Sequence, residues 1–128
     1  MQDFFQTRRY SFRNAFTGWW FVIRTQRNAW IHTVASILVT IIAFWLHIPL
    51  SDWALVILAI AMVWTAEFLN TALEAVVDLA SPEHHDLARI GKDVGAAAVL
   101  IAAASSALVG LIVLGPPLWE QIKLVIAE

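Results

Sequence analysis

Glu67, Asn70, Glu74 and Asp78 follow one another at steps of three, four and four residues. At about 100° per residue they fall on one helical face roughly 80° wide. Carboxylates one and two turns apart can hold a hard divalent cation and set a general base beside it, which is what phosphoryl transfer requires. The rest of the stretch is apolar, with Phe68, Leu69, Ala72, Leu73, Ala75, Val76, Val77, Leu79 and Ala80 on the other faces. A carboxylate at the centre of a membrane helix costs about 2.5 kcal/mol or more on insertion scales, and less near the interface. Several on one stripe therefore need a reason. Pairing with basic residues of neighbouring helices is one; a chemical role is the other, and it is the default for acids inside a membrane.

A second cluster follows at once. Glu83, His84, His85, Asp86, Arg89, Lys92 and Asp93 lie within eleven residues. Lys92 is a compact point charge suited to a transferred phosphoryl group; the remainder reads equally well as a solvated loop. Neither His84 nor His85 has a second motif at zinc-ligand spacing, which argues against a zinc site. The chain has no Gly-rich phosphate loop of the Walker type and no soluble-kinase signature, so a nucleotide would have to be held by another architecture.

The elements that must position these residues are membrane helices. The 128-residue chain is 60% hydrophobic and only 14% charged, against roughly 25% charged in soluble domains, and its length predicts a single domain. It has no cysteine, which excludes disulfides and thiolate metal ligation. Residues 4–29 place Phe5, Phe12, Phe16, Trp19 and Ile23, with Trp30 just beyond, on one stripe flanked by Arg9, Arg13, Arg24 and Arg27, which predicts an amphipathic helix in the headgroup layer. Residues 30–48 are long enough, at about 28 Å, to cross the bilayer. A second span is expected over 53–80, because its uncharged part alone covers only about 21 Å and must continue through Glu67. Ser81 and Pro82 read as the cap and first residue of a short cytoplasmic segment over 81–93.

A third span is expected over 94–114, where Ala98, Ala102, Ser106 and Gly110 recur every four residues and permit close helix approach. Gly115, Pro116 and Pro117 are expected to end it, leaving a tail over 115–128. The N-terminus lacks the pattern of a cleavable signal, so the first span is expected to stay in the mature protein. Five of the eight basic residues precede the first span, and Arg89 and Lys92 lie between the second and third. The positive-inside rule then puts the N-terminus in the cytoplasm and the C-terminus outside.

The run from Glu67 through Asn70 and Glu74 to Asp78 resembles the E-x-x-N-S/T-A-x-E-A-x-x-D signature of the prokaryotic diacylglycerol kinase and undecaprenol kinase family. Lys92-Asp93 with the following apolar run resembles the family's K-D region, and Arg27-Asn28-Ala-Trp-Ile-His32 its R-N-x-x-I-H stretch, so the likeness extends from about Ser11 to Gly110. The resemblance implies an all-α membrane protein of three transmembrane helices plus an N-terminal surface helix, assembled as a homotrimer with shared active sites in a bacterial cytoplasmic membrane. It implies an ATP-dependent kinase with Mg2+, acting on the hydroxyl of diacylglycerol or undecaprenol.

By the same resemblance Glu67 is the general base and Glu74 a metal ligand, with Asn70 and Asp78 in support, while Glu83, His85, Lys92 and Asp93 hold ATP. Gln26 stands where the family usually has a glutamate that serves as second metal ligand. An amide offers a carbonyl oxygen without charge, so altered metal affinity, altered nucleotide preference or loss of turnover follows from that exchange. A membrane transport subunit would also carry acids, but here they gather at one membrane face and the outer half of every expected span lacks charge. The Ser81-Pro82-Glu83 and Arg27-to-His32 wording lies closer to the Gram-positive type, which favours undecaprenol.

Overall fold

The computed structural model describes residues 2–83 and 85–127, with side chains from Arg8 onward; the Phe5 end of the apolar stripe and His84 lie outside the described side chains. The described residues form four helices and no strands: α1 (Gln2–Thr25), α2 (Arg27–Trp45), α3 (Leu50–Ala80) and α4 (Asp86–Ile126). The last three are each long and apolar enough to cross a membrane. At 1.5 Å per residue α3 is about 46 Å long and α4 about 60 Å. Both exceed the roughly 30 Å hydrocarbon core, so their ends emerge into the polar layers.

Apolar spans tolerate hydroxyls only when these are satisfied. Thr33 and Thr40 donate to the carbonyls of Ala29 and Ser36 in their own helix, each at 2.7 Å, which removes the cost of exposing them to lipid. The ends of the spans are set by backbone geometry. After Trp45 the chain closes with Ile48 N–H on the Ala43 carbonyl and His47 N–H on that of Phe44. His47 takes the left-handed conformation, φ 51°, that this type of helix ending demands. Pro49, with φ already near its locked value, then caps α3.

The best-packed region lies at this end: Ala43, Leu46 and Ile48 close against Val56 of α3 and Val113 and Leu114 of α4, with Phe44 on Trp53 at 4.6 Å. Farther along, Ser106 of the small-residue series donates to the Ala59 carbonyl at 2.9 Å, and Ala102 is buried beside it in α4. That series thus brings α4 close to α3 within one chain. Large apolar side chains such as Leu38, Leu58, Leu100 and Leu111 point outward, as lipid-facing positions do.

Four boundaries differ from the sequence expectation, each for a local reason. The first break falls at Gln26, extended at φ −97° and ψ 118°, so α2 begins with the polar Arg27 and Asn28 rather than at Trp30; a backbone kink, not the onset of hydrophobicity, starts the helix. Helix α3 starts at Leu50 because Pro49 caps it, which puts Ser51 and Asp52 in its first turn. Ser81 does not cap α4: its hydroxyl donates to the Glu83 carbonyl, and His85 is the cap, its Nδ1 accepting from Leu87 N–H at 3.2 Å. The segment over 81–93 is therefore mostly the first turns of α4.

Finally, Pro116 and Pro117 do not end α4, which runs on to Ile126. Each proline withholds one N–H from the carbonyl four residues back, that of Ile112 or Val113. The residues beyond, from Leu118 to Ile126, are good helix formers apart from the β-branched ones, and Lys123 pairs with Glu120 at 2.8 Å one turn away. In α1, Phe12, Phe16 and Trp19 remain largely uncovered by the rest of the chain, and Val22 is the buried contact.

Candidate functional site

The site is built along one face of α3. Glu67, Asn70 and Thr71 are its only buried polar or charged side chains among the described residues, with Glu67 1% exposed. Thr71 returns its hydroxyl to the Glu67 carbonyl at 2.9 Å, leaving the carboxylate of Glu67 as the group without a settled partner. Its Oε2 makes no hydrogen bond, and neither do the buried Oδ1 of Asn70 and Nε2 of His32. His32 Nε2 stands 3.7 Å from Glu67 Oε2, too far for a hydrogen bond.

About two turns beyond Glu67, Glu74 is gripped from two sides. Asn70 Nδ2 donates to its Oε1 at 3.1 Å and Gln26 Nε2 to its Oε2 at 3.3 Å. The kink between α1 and α2 is what delivers Gln26: as the one extended residue between two helices it turns its side chain onto α3. Asn70 is confined from the far side by Gly95 of α4, where a β-carbon would run into the Asn70 amide oxygen and come within 3.1 Å of Leu73. No other described glycine has such a contact, so its missing side chain is a fitting requirement of the site.

The polar face then opens. Asp78 receives Lys92 Nζ at 3.0 Å, tying α4 to α3 at the mouth of an open cleft of about 320 Å³. The cleft is lined by Val77, Asp78, Ser81, Pro82, Glu83, His85, Ala88, Arg89, Lys92 and Asp93. Arg89 lies 3.9 Å from Asp86 and 3.7 Å from Asp93. The residues expected from sequence thus fall in two adjoining groups: Gln26, Glu67, Asn70 and Glu74 in the interior, and Asp78, Glu83, His85, Lys92 and Asp93 around the cleft. Sequence reasoning gave no role to His32 or Gly95. His32 stood in the Arg27-to-His32 stretch, and Gly95 three residues beyond Lys92, but only packing reveals what either touches.

Among the described residues no three His, Cys, Asp or Glu side chains converge into a metal cage. Mg2+ is commonly held by one or two carboxylates plus substrate phosphates and keeps several waters. The Glu74 carboxylate, the amide oxygen of Gln26 and the unpartnered Oδ1 of Asn70 are the hard oxygen donors available.

Three spans, with a carboxylate-bearing face on one of them that runs from a sealed interior to an open cleft, define a small polytopic membrane protein. The sequence model of prokaryotic diacylglycerol kinase matches residues 13–114. An undecaprenol kinase of Bacillus subtilis is 38% identical over 108 residues, covering 84% of this chain and 88% of that protein. A diacylglycerol kinase of Synechocystis is 44% identical over 109 residues, 84% of this chain and 62% of its own length. A diacylglycerol kinase of Escherichia coli K12 is 42% identical over 83 residues, 59% of this chain and 68% of its own. The chain belongs to the prokaryotic diacylglycerol kinase family, and its class is that of a lipid kinase.

Proposed function

We propose that this lipid kinase transfers the γ-phosphoryl group of ATP to the hydroxyl of diacylglycerol or undecaprenol at the cytoplasmic face of a bacterial inner membrane. The observation that carries the reading is the continuity of the α3 face, from the sealed carboxylate of Glu67 through Glu74 to Asp78 and the open cleft with Lys92. A lipid alcohol and a water-borne nucleotide can meet only on such a face. Glu67 takes the proton from the lipid hydroxyl. Glu74, Gln26 and Asn70 are the residues that would hold Mg2+, which when bound supplies charge neutralisation to the phosphates. Lys92 and Asp78, with Glu83, His85 and Asp93, orient the nucleotide in the cleft.

The remaining features extend this reading. The arginines and exposed aromatics of α1 suit a helix lying in the headgroup layer, with the N-terminus cytoplasmic and the C-terminus outside. A homotrimer would cover part of the outward faces of α2 to α4 and share the sites between subunits. The Bacillus subtilis relative is named for undecaprenol and the Synechocystis relative for diacylglycerol; the Ser81-Pro82-Glu83 wording inclines the choice to undecaprenol. The test is lipid competition: purified protein with ATP, Mg2+ and both lipids is expected to form undecaprenyl phosphate preferentially, with no product from Glu67→Gln. Full turnover by Glu67→Gln removes the base, and preferential formation of phosphatidic acid reverses the lipid assignment.

A further inference from the structure

Two sealed atoms without partners face one another inside the protein. His32 Nε2 and Glu67 Oε2 are buried, unbonded and 3.7 Å apart, and no other described side chain pairs with that carboxylate. The other N–H and O–H donors close by are already engaged: Gln26 and Asn70 both donate to Glu74, and Thr71 to the Glu67 carbonyl, while Asn70 Oδ1, also unpartnered, is an acceptor and cannot pair with the carboxylate. The imidazole is held in place. Its ring meets Trp64 edge-on at 6.4 Å, while Trp64 donates its indole N–H to Ser36 at 3.3 Å and stacks on Trp19 of α1 at 5.7 Å. Imidazole and carboxylate are therefore carried by different helices, α2 and α3, and meet across that gap.

We propose that His32 is the positioning residue of the proton-accepting carboxylate: Nε2–H closes onto Glu67 Oε2 in the working complex and turns Oε1 toward the acceptor hydroxyl. The inference rests on the reading of Glu67 as base. Hydrogen bonds that are long in a ligand-free site commonly tighten when substrate arrives, and a 3.7 Å gap closes with a small side-chain rotation. In the transfer step the lipid O–H bond breaks and its proton passes to Glu67 Oε1. The hydroxyl oxygen bonds to the γ-phosphorus as the bond to the β–γ bridging oxygen breaks, the electron pair leaving with ADP. His32 keeps its own proton throughout. Its contribution is orientation, since a carboxylate free to turn presents the wrong oxygen or the wrong lone pair for much of the time.

Three substitutions test this in the full-length protein. Gln can place an N–H close to the position of His32 Nε2, Asn falls one bond short, and Leu removes the donor while keeping the bulk. His32→Gln is expected to retain kcat within about fivefold, and His32→Asn and His32→Leu to lose about tenfold or more, a range below that of removing a general base outright. KM for ATP and the melting temperature of His32→Gln and His32→Asn should stay at wild-type values; a purely structural role would instead track stability and show no rescue by Gln. Should His32→Leu fail to fold, the Gln and Asn pair decides. Wild-type kcat in all three variants, with Glu67→Gln inactive, overturns the positioning role and leaves the base standing. Turnover retained in Glu67→Gln removes the base and the positioning role with it.

Discussion

Gln26→Glu introduces the residue that the family resemblance implies, at a position where the structure supplies the local geometry. The Gln26 amide N–H now donates to Glu74 Oε2 at 3.3 Å, so the substitution exchanges an attractive contact for two facing carboxylates. Two like charges at 3.3 Å repel by about 5 kcal/mol at an effective dielectric of 20, falling to about 3 kcal/mol once side-chain rotation parts them to 6 Å. Solvent screening of the half-buried Glu74 reduces this further, and a loss of about 1–2 kcal/mol of stability in chelator is the expected outcome. Added Mg2+ should reverse the sign, because the second carboxylate becomes a second ligand and binding to the folded state stabilises by mass action. The assay is thermal unfolding in detergent micelles across a Mg2+ titration, with lipid phosphorylation measured in parallel. Gln26→Glu is expected to melt below wild type in chelator and to gain more from Mg2+ than wild type does. An equal Mg2+ response in the two proteins would refute the placement of the ion between Gln26 and Glu74. If only Gln26→Glu phosphorylates lipid, the native chain binds without turning over.

Two further outcomes follow from the same geometry. Lys92→Ala should leave the melting temperature nearly unchanged, because its pair with Asp78 is solvent-exposed on both sides and such pairs are worth about 0–1 kcal/mol, yet raise KM for ATP about tenfold, as loss of one phosphate contact would; an unchanged KM would place the nucleotide elsewhere. Gly95→Val should lower both stability, by about 1–3 kcal/mol for overpacking, and kcat, because the new side chain displaces the Asn70 amide that grips Glu74; wild-type melting and turnover would show that α4 has room to move away.

The acidic face of α3 was legible in the sequence because helical periodicity alone places Glu67, Asn70, Glu74 and Asp78 together. The three spans were legible because membrane insertion depends on length and composition, both local quantities. What escaped was set by pairs of atoms distant in the chain. The break at Gln26 has no Gly or Pro to announce it, and its purpose appears only when Glu74, 48 residues away, is found at its tip. The cap of α4 fell to His85 because the Ser81 hydroxyl was drawn to the Glu83 carbonyl, a competition between two plausible caps that propensity does not decide. Pro116 and Pro117 read as a terminator by their chemistry, yet the helix runs on through them because the residues after them favour it. His32 in a run of apolar residues looks like an incidental polar group until the unpartnered carboxylate opposite is seen.

The order of burial along α3 constrains how any reaction on it must run. Glu67 is sealed, Glu74 is half-buried, and Asp78 is exposed, over a rise of about 16 Å for eleven residues. Electrostatic interactions strengthen as water is excluded, so a proton-accepting group has most effect at the sealed end, while a highly charged nucleotide is least costly to desolvate at the open one. The proposed reaction uses the gradient in that sense. A lipid hydroxyl approaches the dry end, where Glu67 is the sealed carboxylate that takes its proton. The phosphates enter from the wet end and surrender their water in stages, first to Lys92 and then beside Glu74. Reversing the order would strand the nucleotide's charge in apolar protein and leave the base competing with bulk water. The proposed direction of approach of both substrates thus follows the exposure of three acids on one helix.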